Sequence, residues 1–167
     1  MEQKEMIDLL RQVASGTMDV EQAALKLKEE PFEDLGFAKI DHHRAMRQGV
    51  AEVIYGEGKT PEQIFRIAEA MKEKGQKAVL ITRMNKESAI YVGEHLELQY
   101  DEVSRIGFIG EAPIKDGDGK IVVATGGTSD IPVAEEAART AETLGNEVIR
   151  LYDVGVAGVH RLLGHLD

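Results

Sequence analysis

Hydrophobic positions recur along this chain with two different periods. Met6, Leu9, Leu10 and Val13 are spaced i, i+3, i+4, i+7, and Val20, Ala23, Ala24 and Leu27 repeat that spacing. Each set lays an apolar stripe along one side of a helix. Gly16 separates the two as a stop, and Asp19 is placed to accept backbone N–H bonds with Gln22 as the third residue of a capping box. A helical hairpin is therefore predicted over 1–30, closed by Pro31.

From Phe37 onward the pattern changes to short β-rich runs, at 37–40, 52–55, 78–82, 103–109, 121–125 and 147–152. They alternate with capped helical stretches, the rhythm of an α/β protein. Thr60 is the predicted N-cap of a helix with Pro61 at its first position and Gln63 completing a capping box, and Gly75 ends it. Asn85 caps another helix, predicted to run to about His95 across Gly93. A small α/β domain is expected over 31–113. The polar, glycine-rich stretch 114–120, flanked by Pro113, is the expected linker to a further α/β unit over 121–167. It is not an EF-hand loop, because Lys120 stands where an Asp or Asn is required and a strand follows. No repeat of solenoid period is visible.

Composition narrows the functional classes. The 167 residues are 43% hydrophobic and 30% charged, so the chain can build a core without staples. Subtracting 30 acidic from 20 basic side chains leaves a net charge of -10, which repels nucleic-acid phosphates and anionic lipid headgroups. Neither nucleic acid nor a membrane is an expected partner. The absence of cysteine excludes a disulfide scaffold, thiolate metal sites and thiol nucleophiles. The opening MEQKEM has no basic n-region, and no apolar run approaches the roughly 20 residues that span a bilayer. A cytoplasmic protein is expected.

Candidate chemistry gathers at three places. At the strand–loop–helix junction 124–132, Gly126 and Gly127 let a ligand approach the backbone, the following helix start offers N–H donors, and Thr128 and Ser129 add hydroxyls, the properties of a phosphate cradle. Asp130 can instead act as a plain helix N-cap, which leaves binding and capping both open. If a nucleotide binds, Asp130 is expected to accept from ribose or amide donors. A second junction follows the run 147–152, and loops at the carboxyl ends of successive parallel strands share one edge, so His160 and Arg161 are placed to approach the glycine-rich loop. The histidine is a residue type suited to proton transfer and the arginine offers a fork for carboxylate or phosphate, but a surface helix end is as good a reading. In the third region, Arg44 and Arg47 can share a helical face and receive an anion, or pair with Asp41, Glu52 or Glu57. His42 and His43 point apart in regular structure and do not make a zinc site. Gly58-Lys59-Thr60 mimics the end of a P-loop, but Val53 stands where the glycine is required.

The run ATGGTSDIPVAEEAARTAETLGNEVIRLYDVGVAGVHRLL and the segment DHHRAMRQGVAEVIYGEGKTPEQI resemble the LarB family of nickel-pincer cofactor biosynthesis proteins, relatives of the PurE family of aminoimidazole ribonucleotide carboxylases. The resemblance implies that 121–167 is the first βαβα portion of a PurE-like, flavodoxin-like parallel sheet. It implies carboxylation of the pyridinium ring of nicotinic acid adenine dinucleotide by carbon dioxide or bicarbonate, with phosphoanhydride hydrolysis releasing AMP and pyridinium-biscarboxylic acid mononucleotide. By the same resemblance Gly126, Gly127, Thr128, Ser129 and Asp130 match the nucleotide loop. His160 and Arg161 match a pair that serves proton transfer and phosphate binding in the purine carboxylases. Arg44 and Arg47 join the expected substrate-binding set.

Magnesium is the expected counterion of the phosphates, with no metal-ligand residues nameable and no tightly bound organic cofactor expected. A homo-oligomer is implied. The family's nucleophilic cysteine lies in a later portion, so this chain is expected to be an incomplete piece of the synthase, with Val154, Val156, Val159, Leu162 and Leu163 as an exposed face that self-associates. Two alternatives stand beside this reading. One is an aminoimidazole ribonucleotide carboxylase, disfavoured by Gly127 in place of a serine and by the 41–49 segment. The other is a non-catalytic nucleotide-binding or assembly module.

Overall fold

The computed structural model describes residues 3–28, 32–41, 52–111 and 114–165. Helices α1 (Gln3–Ala14) and α2 (Val20–Lys28) form the expected hairpin. Leu9 and Ala23 are buried in it, and the Asp19 carboxylate accepts the Glu21 N–H at 3.0 Å as the cap.

Strands β1 (Phe32–Asp34) and β2 (Lys39–Asp41) pair antiparallel, with Glu33 opposite Ile40. The strand expected at 37–40 thus begins two residues late. Asp34 accepts the Gly36 N–H at 2.8 Å, and Leu35 N–H bonds to Ala38 O at 2.9 Å, so the residues between the strands are spent on the hairpin turn. Ile40 carries this hairpin onto the main core.

The central sheet has four strands in the order β3 (Val53–Tyr55), β4 (Ala78–Thr82), β6 (Ile106–Gly110), β5 (Leu98–Asp101). Strands β3 and β4 are parallel, Val53 opposite Leu80, and are joined through α3 (Pro61–Glu73). The other two pairings are antiparallel. Helix α3 begins with the expected reciprocal capping box between Thr60 and Gln63. It ends where Gly75 adopts φ +86 and its N–H bonds to Lys72 O while Gln76 N–H reaches Met71 O, the pattern of a Schellman motif. Helix α4 (Lys86–Gly93) is capped by Asn85, which accepts the Ser88 N–H at 2.7 Å. It stops two residues short of His95.

The run expected as a strand from Val103 starts only at Ile106. Asp101 takes both the N–H and the hydroxyl of Ser104, at 2.8 and 2.7 Å, and Arg105 enters the left-handed region at φ +56, so 102–105 is a turn between β5 and β6. β5 itself gives little advance signal, since LQYD has one β-forming aromatic and no β-branched residue.

Ile64, Ala68 and Met71 of α3 and Val92 of α4 pack with Val79, Ile81 and Ile109 on one face of this sheet. Leu80, Ile106 and Phe108 project to the other face by strand alternation and are buried as well. A central strand covered on both faces reads as a continuous apolar run, which is why 78–82 is legible so cleanly.

The last unit is β7 (Lys120–Ala124), α5 (Ile131–Thr143), β8 (Glu147–Leu151) and a short α6 (Val159–Leu163). β7 and β8 are parallel, Lys120 opposite Glu147 through Ala124 opposite Leu151. The stretch before β7 has no regular structure until Lys120 and is anchored by the Gly117 N–H on Gly145 O at 3.2 Å. Helix α5 lies against β7 and β8 and also against β4 and β6, so it borders both sheets.

Candidate functional site

The loops that leave the carboxyl ends of β7 and β8 are stitched together. Thr125, buried at the end of β7, accepts the Val154 N–H on its carbonyl at 3.0 Å and the Asp153 N–H on Oγ1 at 2.9 Å. One residue on, Gly126 O accepts the Gly155 N–H at 3.0 Å. A β-carbon at Gly155 would lie 2.3 Å from that same oxygen, so only glycine allows the two loops to close. Asp153 turns the chain away from β8 with φ +59, a left-handed backbone that a non-glycine residue holds only under tertiary constraint.

Residues Thr128–Asp130 form one turn of 3-10 helix leading into α5. Asp130 has αR backbone and makes no side-chain cap bond to α5; its carboxylate instead accepts the Gly127 N–H at 3.0 Å. The plain N-cap is therefore not the geometry observed. Gly127 leads into the turn with an extended backbone, so an αR Asp130 is carried past the cap position and folds back on the loop. Thr128 and Ser129 are exposed, and a β-carbon on Gly126 or Gly127 would meet nothing closer than 3.7 Å. The loop backbone is open to a ligand on that side.

Arg161 is half-buried and donates from Nη1 to Asp153 Oδ2. Its side chain folds over Gly158, where a β-carbon would come within 2.7 Å of Nε. Nε itself is buried with no partner among the described residues. His160 is exposed at the start of α6. The two loops thus share one edge, with the Arg161 guanidinium committed to Asp153 inside it. Arg44 and Arg47, together with His42 and His43, lie outside the described residues.

A second cluster went unread in the sequence. It sits at the carboxyl end of the parallel pair β3 and β4. Tyr55 donates its hydroxyl to Glu57 at 2.5 Å, and Arg83 Nη1 donates to Glu57 Oε2 at 3.0 Å and to Tyr55 Oη at 3.1 Å. The bond to the Glu57 carboxylate raises the Tyr55 phenol, and the Tyr55 and Arg83 donors hold the Glu57 carboxyl below its usual range. Gly56 is required here, since a β-carbon would come 2.9 Å from Thr82 O. The available signal was positional: Tyr55 and Arg83 directly follow or close two parallel strands, the edge where α/β proteins place ligands.

On β8, Arg150 lies between two α5 carboxylates, Glu135 at 2.9 Å and Glu142 at 2.6 Å, and Tyr152 donates to Glu135 at 2.9 Å. The Arg150 bond holds Glu142 below its ordinary value, while burial and then Glu135 raise Tyr152. An open groove of about 540 Å³ runs between the units, lined by Thr82, Arg83, Ile121, Val133 and Glu136 among others. None of the loop residues 126–130 lines it, so this groove and the loop edge are separate features.

These features define an α/β protein with a stitched, glycine-rich loop edge on a parallel strand pair. Residues 32–111 match the LarB/PurE-like N-terminal domain, a match that covers 80 of the 167 residues. The chain is also 32% identical over 166 residues to an uncharacterised protein of Methanocaldococcus jannaschii, an alignment that covers 95% of this chain and 65% of the relative. No helix among the described residues is long and apolar enough to cross a membrane.

Proposed function

We propose that the chain takes part in carboxylating the pyridinium ring of nicotinic acid adenine dinucleotide. A carbon–carbon bond to carbon dioxide forms as a ring proton leaves, or to bicarbonate carbon as that proton and the bicarbonate hydroxyl leave together as water, and a further water cleaves the phosphoanhydride to release AMP. The observation that carries this reading is the hydrogen-bonded pairing of the two loops at Gly126 and Gly155, which leaves the backbone of 126–127 and the hydroxyls of Thr128 and Ser129 open at a helix start. The LarB/PurE-like domain over 32–111 supports the choice of chemistry.

In this reading the loop binds phosphate and ribose. Asp130, which already accepts the Gly127 N–H, exchanges that bond for a ribose or amide donor when the nucleotide arrives. His160 moves a proton at the exposed rim. Arg161 contributes through its pair with Asp153, orienting the second loop instead of gripping phosphate alone. Arg44 and Arg47 remain proposed substrate ligands. No group of three or more His, Cys, Asp or Glu gathers among the described residues in a way that holds a metal. The 167 residues contain no cysteine, so they supply no thiolate to activate the ring. Self-association belongs to the same proposal, supported by the exposure of Val156, Val159 and Leu163 at 94%, 52% and 55%.

A non-catalytic nucleotide-binding module is the second reading, favoured by the commitment of Arg161 to Asp153. Calorimetric titration with the dinucleotide, followed by assay of AMP and product mass with bicarbonate and magnesium, separates the two. Binding with turnover supports the carboxylase. Binding without turnover supports the module, and absence of binding overturns both.

A further inference from the structure

Helix α5 belongs to two layers at once. It crosses between β7 and β8 and it covers the second face of the central sheet, beside β4 and β6. Its grip on that sheet is reciprocal in charge. From the sheet, Arg83 Nε donates to Glu136 of α5 at 3.2 Å, while from the helix Arg139 donates to Asp101 of β5 at 3.2 Å. Each sheet-side partner is itself held. Glu57 and Tyr55 fix the Arg83 guanidinium, whose centre lies 5.5 Å over the Tyr55 ring, and Ser104 fixes the Asp101 carboxylate.

The backbone around Arg83 points the same way. Arg83 adopts φ +51, a left-handed conformation uncommon outside glycine, asparagine and aspartate. Arg105 reinforces that turn, since its Nη2 donates to Arg83 O at 3.0 Å and its carbonyl accepts the Met84 N–H at 2.8 Å. The result is a side chain aimed from the end of β4 at Glu136, about 8 Å along the helix axis from Ile131, where α5 starts directly after Asp130.

We propose that Arg83 and Asp101 are positioning residues for the 126–130 loop: by pinning α5 at two points on the N-terminal domain, they fix the helix start from which the loop donors are presented. The N-terminal domain thereby sets the affinity of a loop carried by the following unit. This rests on the reading of that loop as nucleotide-binding.

The test uses the whole chain and the variants Arg83→Gly, Arg83→Lys and Arg139→Gln. Amide hydrogen exchange at 126–130 is read beside calorimetric titration with nicotinic acid adenine dinucleotide and thermal melting. Arg83→Gly keeps the left-handed turn while removing the whole side chain with its guanidinium, and the glycine's ease at positive φ offsets the lost surface contacts, so its melting temperature is expected to hold while loop exchange quickens about threefold and the dinucleotide binds about threefold more weakly. Arg139→Gln behaves in the same direction, and Arg83→Lys recovers part of both effects. Unchanged loop exchange in Arg83→Gly and Arg139→Gln overturns the proposal, as does faster exchange that only follows a general loss of melting temperature. If the dinucleotide binds no variant, wild type included, while loop exchange still responds, the positioning role stands and the nucleotide reading falls. If binding is normal in every variant and exchange does not move, the reverse holds.

Discussion

The central four-stranded sheet and the β7–α5–β8 unit are both α/β, yet they are held together by different means. In the first, Ile64, Met71, Ile81, Met84 and Ile109 are almost wholly withdrawn from solvent, and both faces of β4 are covered. In the second, Ile121, Val122 and Ile149 are exposed on the strands, and the buried side chains of α5 are Ala134 and Ala138. There, ion pairs and loop-to-loop hydrogen bonds carry much of the order. The difference separates a scaffold, which is stabilised by buried apolar area, from a platform whose exposed loops are set by polar contacts of limited individual strength.

Core truncation tests that contrast most strongly. Met84→Ala should lower unfolding free energy by about 2–5 kcal/mol, since Met84 is fully buried. Ile149→Ala, 44% exposed on β8, should stay within about 1 kcal/mol. Denaturant melts of the two variants give the comparison, and equal losses would mean that the second unit has a core of its own.

Gly155→Ala comes next. Its β-carbon meets Gly126 O, so the loops must part, and dinucleotide affinity should fall about tenfold, or ~1.4 kcal/mol. Titration calorimetry would detect it, and unchanged affinity would detach the stitched edge from binding.

The smallest effect is expected with acid. Ser104 holds the Asp101 carboxyl low, and Arg150 does the same for Glu142, so both are more acidic folded than unfolded. Their contribution is complete above the ordinary carboxylate range of about 4 and is lost as pH falls through the depressed folded values. Melting temperature should therefore decline on the acid side of about pH 4, and an Asp101→Asn/Glu142→Gln variant should show a shallower decline.

Local signals made much of the fold legible. Thr60 with Gln63, Asn85, Gly75 and the apolar run of β4 each act within a few residues, and each appears where its chemistry predicts. The strand–loop–helix passage at 124–132 was readable for the same reason. Strand β5 was not, because its place depends on pairing with β6 more than on its own composition. The Arg83 cluster was hidden for a related reason: Tyr55, Glu57 and Glu136 lie far from Arg83 in the chain, and nothing short of the sheet order brings them together. At the loop edge, periodicity and spacing indicated which residues share an edge. They could not show that Asp130 turns back to Gly127, or that Arg161 is already paired.

The anchors for α5 also have an order in time. Arg83 and Asp101 precede the helix in the chain, so a ribosome adds every strand of the central sheet before it adds Glu136 and Arg139. At about 5–20 residues per second, the stretch from the end of β6 to the end of β8 takes roughly 2–8 s to emerge. The central sheet has that interval in which to fold. A sheet folded in that interval offers the emerging helix both anchors at once, and the loop edge, which needs β8, can close only afterwards.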